Sequence, residues 1–185
     1  MILKEWSKFR GWKVLEYFLM RPNTRMHIKG LARELDVSPN TAQFYTQLYE
    51  KEGILRAERV ANSKQFSLNN EDFLSIEAKR FWFLATLKDS GFVERMMARN
   101  PAMSTLVLFG AFAKGDFTDH SDIDVLAISQ SAIDDAPIKE LERKLGREAD
   151  LIKLSPAKWR QMSKSQDKFA LSVTKNHVIL WGSEL

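Results

Sequence analysis

The residues that could do chemistry sit close together in Leu106–Ser129, LVLFGAFAKGDFTDHSDIDVLAIS. Asp122 and Asp124 flank Ile123 in a segment whose apolar run, Ile123–Ile128, reads as a strand. On a strand, residues i and i+2 share a face roughly 6.5–7 Å apart, so both carboxylates can converge on one site. Two uncompensated carboxylates repel each other, and a hard divalent cation with oxygen ligands, Mg²⁺ above all, resolves that conflict. Ile123 and Val125 face the other way and supply burial. Upstream, the apolar run Leu106–Phe109 leads into Gly110-Ala111, with Gly115 following. Glycine after a strand lets the backbone approach an anion closely, and a helix starting there directs free N–H groups at a phosphate. Two-metal phosphoryl transfer calls for a third carboxylate. Asp150, which opens the alternating segment Asp150–Leu154, is the candidate. Asp116, Asp119 and His120 are expected to decorate a solvated loop, and His27 and His177 have no partner that the sequence identifies.

These elements need a scaffold. Apolar runs at Leu106–Phe109, Ile123–Ile128, Asp150–Leu154 and Val178–Trp181 alternate with helical patterns at Pro137–Leu145 and Pro156–Thr174, which implies an α/β sheet. Earlier, Trp6–Met20 has helical spacing and stops at Arg21-Pro22-Asn23. A second helix is expected through Ile28, Leu31, Ala32 and Leu35. A third is expected after Ser38 and Pro39, through Ala42, Tyr45, Leu48 and Tyr49 to Gly53, with Ser38 as N-cap. Ile54–Val60 and Gln65–Leu68 read as strands joined by a turn at Ala61–Lys64. Helix, helix, helix, hairpin resembles a winged helix-turn-helix domain. From Glu71 to Arg99 the pattern is helical again, broken at Ser90-Gly91. Phe81-Trp82-Phe83 covers adjacent directions on that helix, so one ring is exposed unless something covers it. The expected organisation is 1–70 winged helix, 71–100 helical connector and 101–185 catalytic domain.

The 185 residues carry 28 Lys+Arg against 24 Asp+Glu, and the excess is uneven. Residues 1–70 hold 12 basic and 7 acidic side chains, and the rest hold 16 and 17. A basic first third suits a nucleic-acid-facing module. Candidate DNA contacts are Asn40, Thr41, Gln43, Phe44 and Gln47 on the third helix and Arg56, Arg59 and Lys64 on the wing. Asn and Gln can read adenine edges, and the basic residues, with Arg25, Lys29 and Arg33, can reach phosphates. The absence of cysteine excludes a disulfide scaffold, a thiolate zinc site and a thiol nucleophile. No stretch approaches the ~20 apolar residues of a membrane helix, and no secretory signal opens the chain, so a cytoplasmic protein without membrane contact is expected.

Gly110, Gly115, Asp122, Asp124 and Asp150 in this order resemble the DNA polymerase beta superfamily of nucleotidyltransferases, in particular its minimal members. Their signature is an apolar strand, Gly-Ser, a later Gly, Asp-x-Asp or Asp-x-Glu on the next strand, and a third Asp. The resemblance covers roughly 104–185. It implies a mixed sheet, two Mg²⁺ ions held by Asp122, Asp124 and Asp150, and an NTP, with ATP expected, held by Gly110, Ala111, Lys114, Gly115 and Ser121. It also implies NMP transfer to a hydroxyl of a protein, as in antitoxins that modify a partner toxin, or of a small molecule. Ala111 departs from the family's Ser: the amide remains, and a hydrogen bond to a charged group worth ~1.5–3 kcal/mol is lost. The alternative is a DNA-binding regulator, antitoxin-like, whose nucleotidyltransferase domain binds nucleotide or a partner without turnover. A homodimer formed through the Glu71–Arg99 helix would present two reading heads.

Overall fold

A computed structural model describes residues 2–185, with side chains from Leu3 onward, and the chain divides between Ala85 and Thr86 into two compact units. In the first unit, α1 (Ile2–Trp6) and α2 (Arg10–Met20) replace the single helix expected over Trp6–Met20. At the break the Lys8 and Phe9 amides donate to the Glu5 and Trp6 carbonyls at 3.2 and 2.8 Å, the i→i−3 pattern that tightens a last turn, and the Ser7 hydroxyl donates to the Lys4 carbonyl at 3.0 Å. A two-residue strand not foreseen from sequence, β1 (Met26–His27), leads into α3 (Ile28–Leu35), which stops at Asp36 in the left-handed region. α4 (Pro39–Lys51) starts as expected: Ser38 accepts from the Thr41 amide, and Pro39 occupies the first turn. β2 (Leu55–Val60) and β3 (Ser63–Leu68) form an antiparallel hairpin, and β1 pairs with the outer side of β3. Val14, Phe18, Leu31, Ala42, Leu55, Phe66 and Leu68 are buried, joining the three helices and the hairpin into one core.

α5 (Phe73–Ser90) and α6 (Phe92–Arg99) are separated at Gly91, whose φ of +72° ends the helix at the position the sequence marked. Of the three adjacent rings, Trp82 and Phe83 are buried and Phe81 is exposed. No helix among the described residues is long and apolar enough to cross a membrane.

The second unit holds a four-stranded mixed sheet in the order β6-β5-β4-β7. β4 (Met103–Phe109) runs into the five-residue α7 (Gly110–Lys114), and the chain returns as β5 (Ile123–Ser129), antiparallel to β4. α8 (Ala136–Leu145) carries it across to β6 (Ala149–Leu154), parallel to β5. The single helix expected over Pro156–Thr174 is two, α9 (Pro156–Lys164) and α10 (Lys168–Lys175). Gln166 adopts a positive φ, and Asp167 starts the second helix by accepting from the Phe169 and Ala170 amides. β7 (His177–Gly182) closes the other edge against β4. Val107, Leu126 and Ile128 pack with Trp159, Ala170 and Val173, so α9 and α10 cover one face. Leu106, Leu108, Val125 and Ala127 alternate to the opposite face and are equally buried. That double burial explains why β4 and β5 read as continuous apolar runs.

Candidate active site

Strand register brings the carboxylates together. Asp124 lies opposite Phe109 on β4 and opposite Asp150 on β6, so the three residues form a row across the sheet. Asp124 shares the parity of Leu126, and Asp150 that of Ile152 and Leu154, which pack against the α9–α10 core. Both aspartates therefore stand on that face, at the end of the sheet, with Asp122 two residues before Asp124. Asp122 and Asp150 are exposed and Asp124 is half-buried. Burial pushes the Asp124 carboxyl above the ordinary range, and the like charges of Asp150 and then Asp122 push it further the same way.

The glycine turn abuts this row. Gly110 has φ +68°, and a Cβ there would overlap the Asp124 carboxylate, lying 2.9 Å from its Cγ. α7 is short because Gly115, φ +79°, ends it by returning its amide to the Ala111 carbonyl. Gly115 is thus the helix terminator, Ala111 lies half-buried in the first turn, and Lys114 is exposed in the last. The Ser121 hydroxyl accepts from the Thr118 amide at 2.9 Å and shapes the loop into Asp122.

Two features went unread in the sequence. Arg147, directly before β6, donates from Nη1 to the carbonyls of Thr118, Asp119 and Ser121 at 3.0, 3.1 and 3.3 Å. Its guanidinium lies over Phe112 and Phe117, whose rings stack 4.2 Å apart. Burial pushes Arg147 below its usual range, and Asp119 opposes that. Asp119 is accordingly half-buried rather than solvated, whereas Asp116 and His120 are exposed as expected. His177 also has partners: its Nδ1 lies 3.1 Å from the carbonyls of Val173 and Thr174, at the end of α10.

A bound hard cation would suit this donor set, which is all carboxylate oxygen, and would relieve the repulsion that raises Asp124. Among the described residues no group of three or more His, Asp or Glu is arranged to hold a metal ion as the side chains stand. The fit is therefore one of donor chemistry and charge.

In the first unit, Asn40, Gln43, Phe44 and Gln47 are exposed on α4, and Thr41 is half-buried with its hydroxyl 2.9 Å from that of Ser38. Arg59 is exposed. Arg56 and Lys64 are exposed but ion-paired, with Glu71 and Glu50, both at 2.6 Å; Arg25 pairs with Glu58 at 2.7 Å.

Residues 90–175 match the family model of the nucleotidyltransferase domain. No curated protein matches the chain. Solved structures similar to it include a toxin-antitoxin with AMP-PNP, 20% identical over 51% of this chain and 74% of that one, TM-score 0.39. The toxin-antitoxin MntA-HepT is 20% identical over 51% and 70%, TM-score 0.34. A protein of Sulfolobus solfataricus assigned as a nucleotidyltransferase is 21% identical over 58% and 86%, TM-score 0.34. The family match, over just under half of the chain, and the small mixed sheet support a nucleotidyltransferase fold for residues 90–175.

Proposed function

We propose that the second unit transfers an NMP from an NTP, with ATP expected, to a hydroxyl of a protein or small molecule, releasing pyrophosphate. The observation that carries this reading is the Asp124–Asp150 register, with Asp122 two residues upstream and Gly110 against the Asp124 carboxylate. In this reading Asp122, Asp124 and Asp150 would hold Mg²⁺, which would neutralise the carboxylates and polarise the phosphoryl oxygens. Gly110 leaves room for the Asp124 carboxylate beside the phosphates, the Ala111 amide donates to them, and Lys114 supplies positive charge. Asp150, exposed at the start of its strand, orients the acceptor hydroxyl and takes its proton. Incubation with labelled ATP, CTP, GTP or UTP and Mg²⁺, with protein acceptors including the chain itself, tests this. Label transfer that disappears in Asp122→Ala supports it, and no Asp122-dependent transfer with any nucleotide sinks it.

Ala111 favours a second reading, a regulator that binds nucleotide without turnover. In both readings the first unit is a winged helix that places α4 in a DNA major groove, supported by the exposed Asn40, Gln43, Phe44 and Gln47. A homodimer built on α5 accounts for Phe73, 77% exposed, and its exposed neighbour Leu74. A cytoplasmic location fits the absence of cysteine.

A further inference from the structure

We propose that Arg147 is the positioning residue of the site: one guanidinium holds the glycine turn, the loop into Asp122 and the Asp150 strand at a fixed spacing. The inference rests on the nucleotidyl-transfer reading and adds a residue that the signature does not contain. The aspartates and Gly110 come from three separate segments, and the 116–122 loop between two of them has no regular structure. Its carbonyls need donors, and Arg147 supplies three of them with bonds from a single Nη1. The same guanidinium lies 5.5 Å from the ring centre of Phe112 on α7 and 5.9 Å from that of Phe117. Phe112 is two residues past Gly110, and Ser121 directly precedes Asp122. Arg147 itself is three residues before Asp150, and the next residue, Glu148, accepts from the Ile123 amide at 3.0 Å. A change at Arg147 therefore moves the segments relative to one another.

The arrangement needs a planar, many-donor cation. Lysine offers a point charge that cannot lie flat over a ring while serving several carbonyls. Removing the donors leaves a loop that water can solvate in part, while the β4–β5 core stays fully buried. The fold should therefore persist with the aspartates misplaced. Misplacement on the order of 1 Å costs ~100-fold in rate.

The test compares the full chain with Arg147→Ala, Arg147→Lys and Arg147→Met, the last keeping an apolar stem over the rings without donors. The expected result is a kcat lowered ~30- to 100-fold in Ala and Met, with KM within ~3-fold and melting temperature nearly unchanged. Lys should recover little, and millimolar guanidinium added to Arg147→Ala should restore at least ~5-fold. Activity within ~2-fold of the parent, or a loss that tracks melting temperature and ignores guanidinium, overturns the proposal. Hydrogen exchange at 118–122 separates its failure from that of the enzyme reading. If the parent transfers no label, faster exchange confined to that loop in Arg147→Met still supports the positioning role, and unchanged exchange refutes it.

Discussion

Gly110 and Asp124 occupy adjoining space: a Cβ on Gly110 would coincide with the Asp124 carboxylate, and the Gly110 backbone has φ +68°. The relationship is a product of register. Phe109 pairs with Asp124 across β4 and β5, so the residue after Phe109 turns over the end of β5 against that carboxylate. The Asp-x-Asp strand and the glycine turn are two sides of one small space.

Gly110→Ala should therefore fail twice. The positive φ costs a non-glycine residue ~1–3 kcal/mol, and the methyl must displace the carboxylate. Nucleotide transfer should fall by at least ~100-fold, with unfolding free energy lowered by more than ~1 kcal/mol. Urea unfolding and single-turnover transfer measure the two losses. An alanine variant with parent activity would show that Asp124 need not stay where it is.

Asp122, Asp124 and Gly110 stand out from local information alone, a strand pattern, a two-residue spacing and a glycine before it, whereas the placing of Asp150 beside Asp124 is a product of the β5–β6 register. The strands β4 and β5 were readable because they are buried on both faces and read as unbroken apolar runs, although β4 begins at Met103 rather than at the expected Leu106. Arg147 was not legible. Its partners are backbone carbonyls more than 25 residues away, and carbonyls carry no residue type. The α9–α10 break was missed because Gln166 takes a positive φ that glutamine does not advertise, although Asp167 was available as an N-cap. β1 is two residues long and exists only through its pairing with β3.

The raised Asp124 carboxyl has a pH consequence. Its native state binds the proton more tightly than the unfolded chain, so this residue favours folding below the ordinary value of 3.8. That contribution is lost as pH rises through the raised native value, and above it the ionised carboxylate is a constant penalty. Asp124→Asn should thus be more stable than the parent at neutral pH without divalent cations, and the gap should close on acidification. Mg²⁺ should narrow it by stabilising the parent more than the variant, which keeps only Asp122 and Asp150. Thermal unfolding from pH 3 to 8, with and without Mg²⁺, checks both. A parent that is the more stable form at neutral pH without cation would contradict the crowding of negative charge.

Ala111 sits half-buried in the first turn of α7, directly after Gly110. If the phosphates lie there, Ala111→Ser adds a hydroxyl donor to a charged group, worth ~1.5–3 kcal/mol. Transfer efficiency or nucleotide affinity should rise ~10- to 100-fold, measured as kcat/KM and by calorimetric titration. An unchanged or weakened variant would place the phosphates elsewhere.

DNA binding by the first unit, if it uses the hairpin, starts with its basic side chains already engaged. Arg56 is bound to Glu71 and Lys64 to Glu50, and each pair must open before its cation reaches a phosphate. Exposed pairs are worth ~0–1 kcal/mol, so Glu71→Gln and Glu50→Gln should each tighten binding by up to ~5-fold at moderate salt. Arg56→Ala and Lys64→Ala should weaken it and reduce the slope of log K against log salt by about 0.9 apiece. Fluorescence anisotropy with a duplex library over a salt series reads both effects. Glutamine variants that bind no better, with alanine variants of unchanged slope, would move the phosphate contacts off the hairpin and onto Lys29 and Arg33, the exposed cations of α3.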